Sequence, residues 1–143
     1  MQVKLLLSCA VSARAGRWSG LVKDVLKEMN MPAPMVQAAL ALMVAGVVFG
    51  VLVWIDPRTA YGQNVWLKPA RFAFSFAVLL LSLGLVLRDV PFAWRAAYAW
   101  VFIAVALAEV MLVALQSVRG RASHHNFETP LDGNIYALMG VIV

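Results

Sequence analysis

The chain has 143 residues, of which 63% are hydrophobic and 13% are charged. Soluble domains carry about 45–50% apolar and about 25% charged residues, so this composition excludes an ordinary soluble protein and is typical of a membrane protein. The net charge of +5 comes from basic residues in the loops and the amino-terminal arm. Basic residues placed there favour contact with anionic lipid and argue against a nucleic-acid groove.

The amino-terminal arm, residues 1–34, contains one amphipathic pattern. Apolar residues between positions 18 and 29 recur at helical spacing, with charged residues on the opposite face. Pro32 and Pro34 then end the pattern. We expect a helix that lies on the membrane surface or packs against a neighbouring subunit.

Three stretches with at most one charged residue inside them follow, at 35–55, 71–87 and 96–118. A transmembrane helix needs about 20 mainly apolar residues, so each stretch predicts a full span. The second stretch is short, but Lys68 and the arginine that opens the stretch can bury their stems and keep their charged ends at the interface.

A fourth apolar stretch, residues 130–143, predicts a helix too short to cross a membrane. Thr129, Pro130 and Asp132 are typical of a helix start. A helix over this stretch would be about 21 Å long, against a hydrocarbon core of about 30 Å. We expect a truncated chain, completed by further helices of the same protein or by a homo-oligomeric partner. The predicted fold class is all-α, a polytopic transmembrane helical bundle of three full spans plus a partial fourth over 35–143.

Consecutive spans alternate in direction, so the loops at 56–70 and 119–134 are expected on one side of the membrane. The amino terminus and the hairpin at 88–95 are expected on the other side. Seven lysines and arginines flank the spans on the amino-terminal side and five on the opposite side. This bias predicts a cytoplasmic amino terminus.

Glu109 is the single charged residue inside the third predicted span. A carboxyl that faces lipid near the bilayer centre costs about 3 kcal/mol or more, so it is expected to face a protein interior, a cavity or a partner. Gln116 follows seven residues later on nearly the same helix face. Glu109 is therefore the candidate catalytic or proton-carrying residue.

A polar stripe on the second predicted span is the other intramembrane feature. Arg71, Ser75 and Ser82 have spacings of four and seven residues and share a face. The stripe either lines a cavity with Glu109 or fixes helix pairing through hydrogen bonds. The candidate polar site as a whole comprises Lys68, Arg71, Ser75, Ser82, Glu109, Gln116, Arg119, His124, Asn126 and Asp132.

A metal site is the alternative use of the loop after the third span. His124 and His125 are possible ligands, and Glu128 or Asp132 could complete the ligand set. Adjacent histidines in an extended segment point apart, and the single cysteine excludes a multi-cysteine cluster. We therefore predict no metal and no cofactor. Motifs of soluble active sites, such as a P-loop, are absent from the sequence.

Two stretches of the sequence stand together in a recognisable order. They are WLKPARF at 66–72 with Ser75, and Glu109 followed by QSVRGRASHHN at 116–126 with Thr129, Pro130 and Asp132. This combination resembles a group of uncharacterised bacterial multi-spanning inner-membrane proteins, which look longer than this chain. An aromatic residue is expected in place of His125 in that group. The resemblance implies an integral membrane bundle and transfers no activity.

Three functional hypotheses follow. The first is a non-enzymatic integral membrane protein that binds or transports a small molecule or a proton around Glu109. The second is a membrane enzyme or redox subunit that uses Glu109 and the loop from His124 to Asp132. The third is a structural subunit of a membrane complex. In each case the lipid bilayer is a partner and nucleic acid is not.

Overall fold

The computed structural model describes residues 20, 24, 31–60, 62–89, 93–121, 124 and 126–142. Its elements in chain order are the helix α1 (Ala33–Ile55), the strands β1 (Thr59–Ala60) and β2 (Gln63–Asn64), and the helices α2 (Leu67–Arg88), α3 (Arg95–Val118) and α4 (Pro130–Ile142). The two strands pair antiparallel, with Thr59 opposite Asn64. The amphipathic helix expected at 18–29 lies outside the described residues, apart from Gly20 and Asp24, which are helical.

Three of the helices are long and apolar enough to cross a membrane. The helices α1, α2 and α3 have 23, 22 and 24 residues, and their mean hydropathy reaches 2.6, 2.1 and 2.3. The predicted spans are thereby confirmed as helices of spanning length. The helix α2 begins at Leu67 rather than at 71, because Pro69 is tolerated in a first turn, where its missing N–H is not needed.

Small residues bring α1 and α2 close together along their whole length. Ala39, Ala73 and Ala77 are fully buried, and they belong with Leu80 to one core cluster. Small side chains allow helix backbones to approach and gain dispersion contacts in lipid, where no hydrophobic effect drives association. The inner face of α2 therefore packs against α1 and meets α3 in the same cluster.

The helix α1 contains two glycines four residues apart, Gly46 and Gly50, which have different environments. A Cβ on Gly46 would lie 3.0 Å from the ring of Phe74, whereas a Cβ on Gly50 would meet nothing within 4 Å. Gly46 therefore serves the contact with α2. Of these two glycines, one therefore contacts another helix and the other meets nothing in the described part of the bundle.

A short hairpin joins α1 to α2 and was not predicted. Gly62 has a φ of +75°, which favours glycine and closes the turn between the strands. The Asn64 amide donates to the backbone oxygen of Asp56 at 2.6 Å, and the Trp66 ring stacks on Phe49 with centroids 5.8 Å apart. These contacts fix the hairpin against the end of α1.

The hairpin also docks on the end of α3. The Ser117 hydroxyl donates to the Val65 carbonyl at 2.7 Å, and Arg58 Nη1 donates to the Val118 carbonyl at 3.0 Å. The loop predicted at 56–70 therefore lies against the end of α3 from which the loop predicted at 119–134 begins. We call this side of the bundle the polar end.

The chain reverses direction between α3 and α4. Gly120, with a φ of +67°, ends α3 in a left-handed turn, and its N–H donates to the Ser117 carbonyl at 3.0 Å. The helix α4 then returns along α3, where Ile135 and Met139 pack against Val113. The fourth predicted helix is present, and Val143 lies outside the described residues.

Candidate functional site

Glu109 lies deep inside the bundle on the inner face of α3. Its residue surface is 1% exposed, and its Oε1 atom has no hydrogen-bond partner among the described residues. By helical rise it lies about 14 Å inward from Val118, the last residue of α3. The structure thus places the carboxyl in the protein interior, as the sequence predicted.

Lys68 supplies the positive charge that acts on Glu109. It is in the first turn of α2, and it interacts electrostatically with the Glu109 carboxyl. The Lys68 ammonium lies 2.9 Å from Nδ1 of His124 and 5.6 Å from the centroid of the Phe72 ring. Because an ammonium has no lone pair, His124 Nδ1 is the acceptor in this hydrogen bond.

Aromatic rings enclose the Lys68–His124 pair. The His124 ring meets Phe72 and Tyr136 edge-on, with centroids 6.3 and 6.2 Å away, and Tyr136 meets Phe127 at 5.3 Å. The Phe72 ring also packs against both apolar clusters of the core. The rings of Phe72 and Tyr136 therefore flank a pair that is half-buried, and Phe127 is itself exposed.

Asp132 is the centre of a second polar group, at the start of α4. Its Oδ1 accepts from Arg119 at 2.5 Å and from the Gln116 amide at 3.1 Å, while Oδ2 accepts from the Thr129 hydroxyl at 2.7 Å. Thr129 Oγ1 in turn accepts from the Asp132 N–H at 3.2 Å and so caps α4, as predicted. The Arg121 guanidinium lies 3.7 Å from Oδ2.

The electrostatics of this second group favour a charged Asp132. The hydrogen bond from Thr129, followed by those from Gln116 and Arg119, lowers the pKa of Asp132 against the opposing effect of burial. Both carboxylate oxygens have partners. We therefore assign the Asp132 group to joining α3 and α4, because a fully satisfied network specifies structure rather than awaiting a ligand.

The two polar groups occupy different depths of one helix face. Gln116, beside Asp132, lies about 10 Å along α3 from Glu109. Val113 is fully buried between them along α3 and packs against Ile135. Glu109 and Asp132 are therefore separate sites, which the sequence had grouped as one.

The polar stripe of α2 does not reach Glu109. Arg71, Ser75 and Ser82 are exposed on the outer face of α2, because its alanines face α1. Ser75 lines an open apolar groove instead, with Phe72, Phe76 and Leu79. This part of the predicted site is a surface feature.

The remaining predicted site residues serve the loop before α4. Asn126 is 2% exposed, and its Oδ1 accepts from the Glu128 N–H at 3.1 Å, which shapes the turn into the helix. The Glu128 carboxylate pairs with Arg121. Within the described ranges, no three His, Cys, Asp or Glu side chains are grouped as metal ligands, and His125 lies outside those ranges.

Asp56 forms a polar cluster that sequence reasoning left out of the site. Its carboxylate accepts from the Arg58 guanidinium at 2.7 Å and from Nε1 of Trp66 at 2.7 Å. The Arg58 hydrogen bond, then that of Trp66, lowers the pKa of Asp56 well below its usual range. The sequence signal for this cluster was an aspartate followed two residues later by an arginine. The hydrogen bond between Ser117 and Val65 had no such local signal and required the tertiary structure.

No family model, curated protein or solved structure matches the chain. The geometry of the site is therefore the basis of the functional argument.

Proposed function

We propose that the chain is a multi-pass integral protein of the bacterial cytoplasmic membrane that binds and passes a proton at Glu109. Lys68 and His124, which lie at the polar end of the bundle, would pass the proton to this carboxyl. The chain is proposed to belong with longer multi-spanning proteins of this membrane, with its amino terminus in the cytoplasm. The polar end would then face outward from the cell.

The observation that carries the proposal is the unpartnered Oε1 of Glu109. A carboxyl in a transmembrane segment is costly, and polar side chains that only fix helix pairing are hydrogen-bonded to the neighbouring helix. Glu109 is 1% exposed and leaves this oxygen without such a bond among the described residues. A group that takes up a proton or a small hydrogen-bond donor satisfies that oxygen.

The residues around Glu109 supply the steps of a proton path. His124 is half-buried at the polar end, its Nδ1 accepts from the Lys68 ammonium, and the Lys68 charge acts on Glu109. A proton from the polar end would enter at Nε2 of the imidazole while the Nδ1 proton passes to a neutral Lys68 amine, which gives the ammonium–imidazole pair of the structure. The ammonium would then give its proton to the Glu109 carboxylate, and Glu109 would release it toward the opposite end of the bundle. Both imidazole nitrogens can bind a proton, which suits histidine to the entrance of such a path.

The test is proton flux in vesicles that contain the purified full chain and an internal pH-sensitive dye. With a membrane potential applied, the wild-type protein is expected to acidify the interior faster than protein-free vesicles. Glu109→Gln is expected to return the rate to that of protein-free vesicles, because an amide cannot carry the proton.

Glu128→Gln is the matched control, since it neutralises an exposed carboxylate outside the path. Both variants are first compared with the wild type by circular dichroism and size-exclusion chromatography. Full flux through Glu109→Gln, or a wild-type rate equal to that of protein-free vesicles, would contradict the proposal.

A further inference from the structure

The outer face of α2 combines an apolar groove with an uncompensated positive charge. The groove is open, has a volume of about 220 Å³ and is lined by Phe72, Ser75, Phe76 and Leu79. Arg71 lies one helical turn before Ser75 and is exposed. Its guanidinium makes no hydrogen bond or ion pair among the residues that the structure describes.

The depths of these residues match one leaflet of a bilayer. Measured from Leu67 at the polar end, Arg71 is about 6 Å along the helix and the groove extends from about 8 to about 18 Å. One leaflet contributes about 15 Å of hydrocarbon. The long Arg71 side chain can turn its charge toward the headgroups while the groove remains at the depth of the acyl chains.

We propose that this face of α2 binds one anionic phospholipid. Its phosphate pairs with the Arg71 guanidinium, which suits phosphate oxygens through paired N–H donors. Its acyl chain lies in the groove along Phe72, Phe76 and Leu79. The groove lining contains no acidic side chain that would repel the headgroup.

Charge decides between this occupant and a second copy of the chain. Within the described spans the acidic residue is Glu109, and it is buried inside the bundle. Within its described spans a second copy therefore offers Arg71 no exposed carboxylate. An anionic lipid supplies the missing negative charge there and fills the groove at the same time.

The test is lipid binding to the purified full chain, measured by native mass spectrometry during titration. Phosphatidylglycerol and phosphatidylcholine with identical acyl chains are compared. The wild type is expected to prefer phosphatidylglycerol by roughly fivefold, the effect of one basic residue near a charged lipid surface. Arg71→Gln is expected to remove this preference.

Arg88→Gln is the matched control, because Arg88 lies at the other end of α2 and is already paired with Asp89. It should keep the preference, and so should Glu109→Gln, so that failure of the lipid site and failure of the proton site are distinguishable. Inorganic phosphate alone should not displace the lipid, because it leaves the groove unfilled.

Equal binding of the two lipids, or a preference that survives Arg71→Gln, would overturn the proposal. Displacement by inorganic phosphate would show a headgroup site without the groove and overturn it as well. Dimers that form at the expense of lipid binding would assign the face to a second copy.

Discussion

At the residue scale, the molecule uses its carboxylates in two distinct ways. Asp56 and Asp132 accept hydrogen bonds at both oxygens, whereas Glu109 keeps an oxygen without such a bond in the described structure. A satisfied carboxylate holds neighbouring segments in place, because loss of its charge leaves several donors unpaired. An unsatisfied one is available for binding, which is the basis of the proposed proton site.

The role of Asp56 predicts a dependence of stability on pH. Its pKa in the folded chain is below the ordinary value of 3.8, since Arg58 and Trp66 bind the ionised form. The stability from this carboxylate is therefore fully present above pH 3.8 and is lost as the pH falls through the lowered folded-state pKa. Thermal unfolding of the detergent-solubilised protein, followed by tryptophan fluorescence on either side of pH 3.8, measures this loss.

Asp56→Asn is the comparison, because an amide has no charge to lose. The difference in melting temperature between wild type and Asp56→Asn should shrink as the solution is acidified. A difference that stays constant over the same range would show that Asp56 is not ionised in a favourable contact.

At the element scale, α1 and α2 form the most closely packed pair. Gly46 lies directly against the Phe74 ring. Gly46→Val should therefore force the ring away and lower the free energy of unfolding by about 1–3 kcal/mol, the usual cost of overpacking. Gly50→Val makes the same chemical change where a Cβ meets nothing within 4 Å, so it serves as the control.

Unfolding titrations in mixed micelles compare the two glycine variants. Gly46→Val should lower the denaturant concentration at the unfolding midpoint, and Gly50→Val should change it much less. Equal effects would indicate that loss of glycine, rather than contact with Phe74, causes the change.

The sequence predicted the elements better than it predicted their facing surfaces. Apolar stretches without charges were sufficient to locate α1, α2 and α3, since a bilayer imposes the length of a span. The burial of Glu109 followed from the cost of its charge. The outward orientation of the polar stripe of α2 could not be predicted. Helical spacing places Arg71 and Ser75 on one face but does not say which neighbour that face meets.

Contacts between distant segments were also beyond the sequence. The hydrogen bond between Ser117 and the Val65 carbonyl joins residues far apart in the chain, and no local pattern marks it. The pair of Lys68 and His124 was within the predicted site, but its geometry required the docking of the two loops. Sequence reasoning thus found the residues and the structure divided them into separate groups.

At the scale of the whole molecule, the bundle is expected to present opposite ends to opposite sides of the membrane. Gln63 and Glu128 are exposed at the polar end, and Asp89 is exposed at the end of α2 remote from it. Single cysteines at 63, 89 and 128, in a chain with Cys9 replaced by serine, would report this arrangement. A membrane-impermeant maleimide applied to intact spheroplasts should label positions 63 and 128 but not 89.

Labelling of all three positions after permeabilisation controls for reactivity. The proposed orientation puts the polar end outside the cytoplasm, so the reverse pattern would invert the orientation and keep the bundle. If the reagent labels position 63 but not position 128 on intact spheroplasts, the two loops do not lie on the same side of the membrane.

The Phe72 ring has a consequence that extends across the molecule. The ring packs against the apolar core, lies beside the Lys68–His124 pair, and lines the groove on the outside of α2. A lipid acyl chain that enters the groove and tilts this ring would change the surroundings of the Lys68 ammonium. Thermodynamic reciprocity then requires that proton occupancy inside the bundle change the affinity for the acyl chain by the same factor, equally for both test lipids, which leaves the preference between their headgroups unchanged.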